Sequence, residues 1–256
     1  MSPNSLLQKK GRSGTPGVAS TRPGARPPLR DAKLNDTVLA NDNTPTLSTR
    51  TLPRRPINFA LKRAMDVSGA VAGLIMLAPL LLLVAILIRL ESRGPIFFRQ
   101  LRTGRNEVPF EILKFRSMYV EQCDHAGVRL TVDGDPRVTR IGRILRRTSL
   151  DEIPQLWNVV VGHMSLVGPR PHVPDMVAGG MNYADLVRGY EARHLVRPGL
   201  TGLAQCRGLR GPTTNRDMAV RRILSDVEYI ETFSVLLDTR ILVRTIINEV
   251  RGGTGS

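Results

Sequence analysis

The stretch TSLDEIPQLWN, Thr148 to Asn158, sets two acids side by side, Asp151 and Glu152. Ser149-Leu150-Asp151-Glu152 fits a capping box, in which a serine and the acid three residues on satisfy each other's backbone N–H. Acids in a first turn also complement the helix dipole. Pro154 suits the same place, where its missing N–H costs little. Composition alone favours that cap. Successive helical residues point ~100° apart, so the two acids are not a stacked carboxylate dyad. They can still converge on one metal ion from a helix start, where the N-terminus also favours a phosphate.

Cations flank the pair. Upstream, Pro95–Gln100 and Val108–Phe115 border the turn-rich RTGRN and read as a hairpin. Alternation in its second run puts Phe110, Ile112 and Lys114 on one face and Glu111, Leu113 and Phe115 on the other. A lysine on an apolar face either snorkels at a membrane surface or offers an ammonium to a phosphate, and spacing does not separate the two. Asp133-Gly134-Asp135-Pro136 is turn chemistry. Arg137, Arg140, Arg143, Arg146 and Arg147 follow at three- and four-residue steps, with Ile141, Ile144 and Leu145 on the other side. That is an amphipathic basic helix, whose plainer role is to lie on anionic lipid. Downstream comes GPRP, Gly168 to Pro171. Pro171 pushes Arg170 toward extended backbone and Pro169 has a fixed φ. Such a loop aims a guanidinium in a set direction, which suits a phosphate fork, although alone it reads as a structural turn.

These residues need elements to hold them. From Val67 to Ile88 no residue carries a charge, and a helix crossing a bilayer needs ~20 apolar residues. Arg54, Arg55, Lys62 and Arg63 precede the segment; Arg89, Arg93, Arg99, Arg102 and Arg105 follow it. Basic residues near a span tend to stay cytoplasmic, so both ends ask for the same side. Pro79 lies near the middle, where proline kinks a helix. A helix that bends at Ala78-Pro79 and returns satisfies both clusters, provided that the freed backbone groups find a partner. The alternative is a bitopic helix. Near the C-terminus, Val220–Val250 has Ile223, Val227, Ile230, Leu237 and Ile241 at helical steps, which reads as core packing.

Residues 1–56 are rich in Ser, Thr, Pro, Gly and Arg without apolar periodicity, the composition of a disordered basic tail. The net charge of +15 implies an anionic partner, whether nucleic acid, anionic lipid or a phosphate-bearing substrate. Aromatics are only 4% of the chain, which disfavours a binder of single-stranded nucleic acid. Cys123 and Cys206 stand too far apart to form a zinc motif or a disulfide framework.

KFRSM, RRTSLDEIPQLWNVVVGHMSLVGPRP, RPGLTGLAQ and DVEYIETFSVLLDTRILVRT occur in this order, over roughly Ile57 to Val250. The ordered set resembles the bacterial sugar transferases, the monotopic phosphoglycosyl transferases. The resemblance implies an α+β, mostly helical fold. It would comprise a tail over 1–56, a re-entrant membrane helix over 57–93 and a cytoplasmic catalytic domain with a small hairpin over 94–250. It implies transfer of a sugar-1-phosphate, glucose or galactose being favoured, from a UDP-sugar to undecaprenyl phosphate, with UMP leaving. Such a reaction opens exopolysaccharide, capsule or O-antigen synthesis at the bacterial inner membrane. Asp151 would be the nucleophile forming a covalent aspartyl intermediate, and Asp151 and Glu152 would hold Mg2+. Lys114, Arg146 and Arg170 would grip substrate phosphates, with Arg210, or Arg207, nearer the nucleotide-sugar. UDP-sugar, undecaprenyl phosphate and the bilayer are the implied partners; nucleic acid is not, and a homodimer is compatible with the pattern. Two departures stand out. Ala78 occupies the place where the family commonly has serine at the membrane bend, and His163 stands where it often has an acid. A membrane-anchored basic binding or scaffold protein is the alternative, but it leaves the ordered motifs unexplained.

Overall fold

The computed structural model describes residues 56–120, 134–211 and 215–252. The proposed tail, short of Pro56, lies outside the described residues, as do Cys123, Asp133 and Thr213. The described elements fall in one compact unit.

The apolar segment is a helix, α1 (Pro56–Glu91), which runs unbroken through Ala78 and Pro79. At 1.5 Å per residue its path is about 54 Å long. It is long and apolar enough to cross a membrane, and only 11% of its most apolar window is buried. One stripe is covered: Lys62, Asp66 and Ala70 toward the N-terminal end, Val84 and Ile88 toward the other. Four-residue steps keep these residues on one face. Gly69 and Gly73 permit the close approach. A Cβ on Gly69 would lie 2.8 Å from Leu166 Cδ1, and one on Gly73 3.1 Å from Leu156 Cδ1.

Both ends of α1 are fastened by polar groups. The Lys62 ammonium donates to Asp238 Oδ2 at 2.6 Å and to the Val167 carbonyl at 3.0 Å. Asp66 Oδ1 accepts from Ser165 Oγ at 3.0 Å and from Leu166 N at 2.9 Å. The Tyr229 hydroxyl completes the group, 2.7 Å from Asp238 Oδ1. This junction joins α1 to β3 (Ser165–Val167), α6 (Arg216–Thr232) and α7 (Val235–Gly252). At the other end, the Arg116 guanidinium donates to the carbonyls of Ser92, at 2.8 Å, and Arg93. Its Nη2 also lies 3.4 Å from the Ile88 carbonyl, one of those that a helix end leaves open. Glu91 then accepts from the N–H groups of Arg140, at 2.7 Å, and Ile141, so the end of α1 caps the start of α2 (Arg140–Arg147).

The expected hairpin forms. β1 (Phe97–Thr103) pairs antiparallel with β2 (Pro109–Phe115), Phe98 opposite Lys114 and Arg102 opposite Phe110. Phe110 and Ile112 enter the core beside Leu156 and Val159 of α3 (Gln155–Val161), together with Val167, Ile230 and Ile241. Phe115 meets Leu145, Val84 and Ile88 in a second cluster. β3 pairs in parallel with β6 (Gly199–Thr201), and β4 (Val177–Ala178) forms a short ribbon with β5 (Met181–Asn182). Single helical turns α4 (Tyr183–Leu186) and α5 (Leu203–Cys206) complete the set.

Two expectations change. The basic helix begins only at Arg140; Arg137 lies before it, buried in a bidentate pair with Asp135 that fixes the turn. The C-terminal helical stretch is two helices, broken at Phe233 (φ −45, ψ 127). Ser234 Oγ then accepts from Leu237 N, and the new helix carries Asp238 to Lys62.

The junction makes a stability prediction. Lys62→Met leaves Asp238, which is 0% exposed, without its cation. Removing one partner of a buried pair costs about 3–5 kcal/mol, read as a lower midpoint in thermal unfolding of the detergent-solubilised protein. Arg147→Gln, an exposed change on α2, changes the stability by no more than about 0.5 kcal/mol.

Candidate active site

Asp151 and Glu152 occupy a 3-10 turn, Leu150–Glu152, between α2 and α3. The capping box suggested by the sequence is not formed. Ser149 adopts left-handed backbone (φ 54, ψ 14) and its side chain makes no cap hydrogen bond. Such a conformation in a non-glycine residue stores about 1–3 kcal/mol. Glu152 makes no reciprocal cap either, because its carboxylate is drawn to two cations. α3 starts later, with Pro154 at its N-cap. It ends at Gly162 (φ 97), where the Arg63 guanidinium takes the open carbonyls of Val159 and Val160 at 2.8 and 3.0 Å.

The grip on Glu152 reaches both oxygens. Lys114 Nζ lies 2.7 Å from Oε1. Arg170 forks onto the same carboxylate, Nη2 to Oε1 at 2.6 Å and Nη1 to Oε2 at 3.1 Å. Thus the hairpin, the 3-10 turn and the GPRP loop meet at one anion. Asn158 sets the spacing of this meeting. Its Oδ1 accepts from Leu113 N at 2.9 Å and its Nδ2 donates to the Glu111 carbonyl at 2.7 Å, which locks the strand edge beside Lys114 to α3. The proline-flanked loop is held from behind: Gly199 N donates to the Pro169 carbonyl at 2.8 Å and Gly168 N to the Thr201 carbonyl at 2.9 Å.

Asp151 contrasts with its neighbour. It is buried, yet among the described residues no group hydrogen-bonds or ion-pairs with its carboxylate. Burial pushes that carboxyl up to about 6; Lys114, Arg146 and Arg170 pull it down, and the Glu152 charge pushes it up. For Glu152 burial also opposes ionisation, but Arg170 and Lys114 outweigh it and hold the acid well below the usual carboxylate range. The two acids are thereby split, one a fixed counter-ion and the other an ungripped carboxylate in a positive field.

Of the residues chosen from sequence, Lys114, Asp151, Glu152 and Arg170 come together, with Arg146 close enough for its charge to act on Asp151. Arg210 is engaged elsewhere, with Glu249 of α7, and Arg207 pairs with Glu228 of α6. Ala78 and Pro79 are exposed on α1. His163 packs against the Phe110 ring, centroids 5.7 Å apart, a structural contact. The site also includes Arg102, read from sequence only as a flanking charge. Burial and the facing Arg170 charge lower its pKa to about 10, against the pull of Glu152. Its signal lay in the hairpin register: Arg102 opposes Phe110 and so shares a face with Ile112 and Lys114.

The arrangement can bind an anion bearing more than one negative charge, while leaving a carboxylate free to attack it. A family model described as bacterial sugar transferase matches residues 57–252. The exopolysaccharide production protein PSS of Rhizobium leguminosarum bv. phaseoli is 52% identical over 78% of this chain and 100% of its own length. An undecaprenyl-phosphate glucose phosphotransferase of Komagataeibacter xylinus is 50% identical over 79% of this chain and 39% of its own. A UDP-glucose:undecaprenyl-phosphate glucose-1-phosphate transferase of Caulobacter vibrioides is 47% identical over 86% of this chain and 82% of its own. The ordered motifs, the assembled acids and cations, and a match running from α1 to α7 have one account: the chain belongs to the bacterial sugar transferase family.

Proposed function

We propose that this protein is a phosphoglycosyl transferase that moves a hexose-1-phosphate from a UDP-hexose to undecaprenyl phosphate at the inner membrane. The observation that carries the reading is the ungripped Asp151 carboxylate beside a Glu152 held by Lys114 and Arg170. An Asp151 oxygen attacks the phosphorus next to the sugar. The bond from that phosphorus to the bridging oxygen breaks, and UMP leaves with that oxygen. The sugar phosphate is then carried as an acyl phosphate on Asp151. An oxygen of undecaprenyl phosphate attacks the same phosphorus, restores the carboxylate and forms the diphosphate-linked sugar. Lys114, Arg146, Arg170 and Arg102 orient the donor diphosphate and balance its charge, which is most of what phosphoryl transfer asks of a protein. Glucose is the favoured sugar, since it is named for two of the relatives above.

Mg2+ fits the donor set. It is held by one or two carboxylates, with water and substrate phosphate oxygens filling the rest. Asp151 has an ungripped carboxylate, and Glu152 Oε2 accepts a single bond from Arg170. When bound, the ion would neutralise developing charge on the leaving phosphate.

The membrane reading follows from α1. Its two ends are fastened to one polar body, through Lys62–Asp238 and through Glu91 and Arg116. Basic residues flank it on both sides, and such residues stay cytoplasmic. Both facts support a helix that enters the bilayer and leaves on the cytoplasmic face.

Three outcomes test these statements. Purified protein given Mg2+ and UDP-glucose labelled in the sugar and its phosphate retains label when acceptor is absent; Asp151→Asn retains none and releases no UMP with undecaprenyl phosphate. A fully active Asp151→Asn protein would sink the nucleophile assignment. In metal-free protein, infrared titration of the Asp151 carboxyl gives an apparent pKa of about 6, protonated below and ionised above. Arg170→Ala moves it higher by removing a positive charge; a downward shift contradicts the electrostatic account. For topology, Ala60→Cys and Arg93→Cys are each placed in a background with Cys123 and Cys206 changed to serine. Both react with an impermeant thiol reagent in inside-out vesicles, and reaction of only one rejects the re-entrant arrangement.

A further inference from the structure

The GPRP loop cannot be held in the ordinary way. Pro169 and Pro171 have no N–H, so the loop is fixed chiefly through its carbonyls, and four consecutive ones are met by donors. Gly199 N takes the carbonyl of Pro169 at 2.8 Å, and Thr103 N takes that of His172 at 3.0 Å. Arg102 Nη1 lies 3.4 Å from that of Pro171. The Arg170 carbonyl accepts from Arg193 Nη2 at 2.7 Å. Arg193 is therefore bonded to the backbone of the residue whose side chain grips Glu152.

Arg193 is 2% exposed and pairs at 2.7 Å with Asp226 of α6, itself 1% exposed. Its Nη1 lies 3.2 Å from the Tyr190 hydroxyl, which is 2.9 Å from His172 Nδ1. Stability does not explain such a pair. Two charges taken out of water roughly break even against well-packed apolar residues of similar volume. What an apolar pair cannot supply is the charge-assisted bond to the Arg170 carbonyl. We infer that Arg193, held by Asp226, is a positioning residue for the donor site: it fixes the Arg170 backbone and so aims the Arg170 guanidinium at the diphosphate of the nucleotide-sugar.

The inference rests on the phosphate-binding role proposed for Arg170, and the test separates the two. A single nitrogen, Arg193 Nη2, bridges Asp226 and the Arg170 carbonyl while Nη1 reaches the Tyr190 hydroxyl. Arg193→Lys keeps the charge beside Asp226, but its one ammonium ends short of the Nη2 position and cannot also hold Tyr190. The double variant Arg193→Met/Asp226→Leu replaces the pair by an apolar one. Each is made in the full chain and in an Arg170→Ala background, in nanodiscs, with UDP-glucose and undecaprenyl phosphate. In the native background kcat/KM for UDP-glucose falls by up to about 10²-fold, the penalty of a misplaced reacting partner. KM for undecaprenyl phosphate stays within about twofold, because the inference gives Arg193 no role toward the acceptor. In the Arg170→Ala background neither variant lowers kcat/KM further, as residues acting through one group are non-additive. The same fold-loss in both backgrounds overturns the inference, and so does failure of both variants to fold, which would make the pair a strut. An Arg170→Ala protein with native kcat/KM instead removes the phosphate role of Arg170 itself.

Discussion

The carboxylate of Glu152 is the point on which the site closes. Lys114 arrives from the hairpin and Arg170 from the loop that leaves β3, while Glu152 sits on the turn that also carries Asp151. None of these segments is long, and none would hold its charged group in place alone. A shared anion gives them a common origin, and Asn158 and Arg193 fix the backbones from behind. The same arrangement sets the electrostatics. Glu152 absorbs cationic charge, so that Asp151 keeps a raised pKa and an open carboxylate in spite of its surroundings. A carboxylate bound to an arginine would be a poor nucleophile, because its lone pairs would already be engaged.

A second constraint comes from α1. A membrane helix usually packs little against the polar part of its own chain; this one buries residues near both ends, Lys62, Asp66 and Ala70 at one and Val84 and Ile88 at the other. The turn that carries Asp151 is reached from α1 by two short routes. Gly73 lies against Leu156 on α3, and Val84 and Ile88 lie against Leu145 on α2, and these two helices flank Asp151. α1 and the candidate site are therefore coupled through a few apolar contacts. That suits an enzyme whose acceptor phosphate sits at the lipid surface.

The sequence carried the parts whose physics is local. Alternation placed Lys114 on the face of Phe110 and Ile112, the charge-free run gave α1, and the prolines around Arg170 gave a stiff loop. It did not carry what depends on distant partners. The capping box at Ser149 is locally sound, yet it lost to two cations that only the fold brings to Glu152. Arg137 fits the spacing of the basic helix but is taken by Asp135. Arg102, Arg193 and Asn158 have no local signature; their roles come from strand register and from carbonyls many residues away. The break at Phe233 is invisible to apolar periodicity, because both halves of the stretch keep it. Gly69 and Gly73 were readable as small residues one turn apart, but their use against Leu166 and Leu156 depends on the fold.

The stripe along α1 bears on how the protein can be handled. It is tempting to delete such a helix and express the remainder as a soluble enzyme. Here that cut would strip the ammonium from Asp238 and the acceptor from Ser165 and Leu166. It would also uncover Leu145, Phe115 and Leu156 to water. A shortened version thus inherits orphaned buried charges and an open apolar trench, and it would collapse or aggregate whatever its catalytic residues. The helix is a wall of the enzyme as much as its tether, and biochemical preparations must keep it, with detergent or lipid on its outer face.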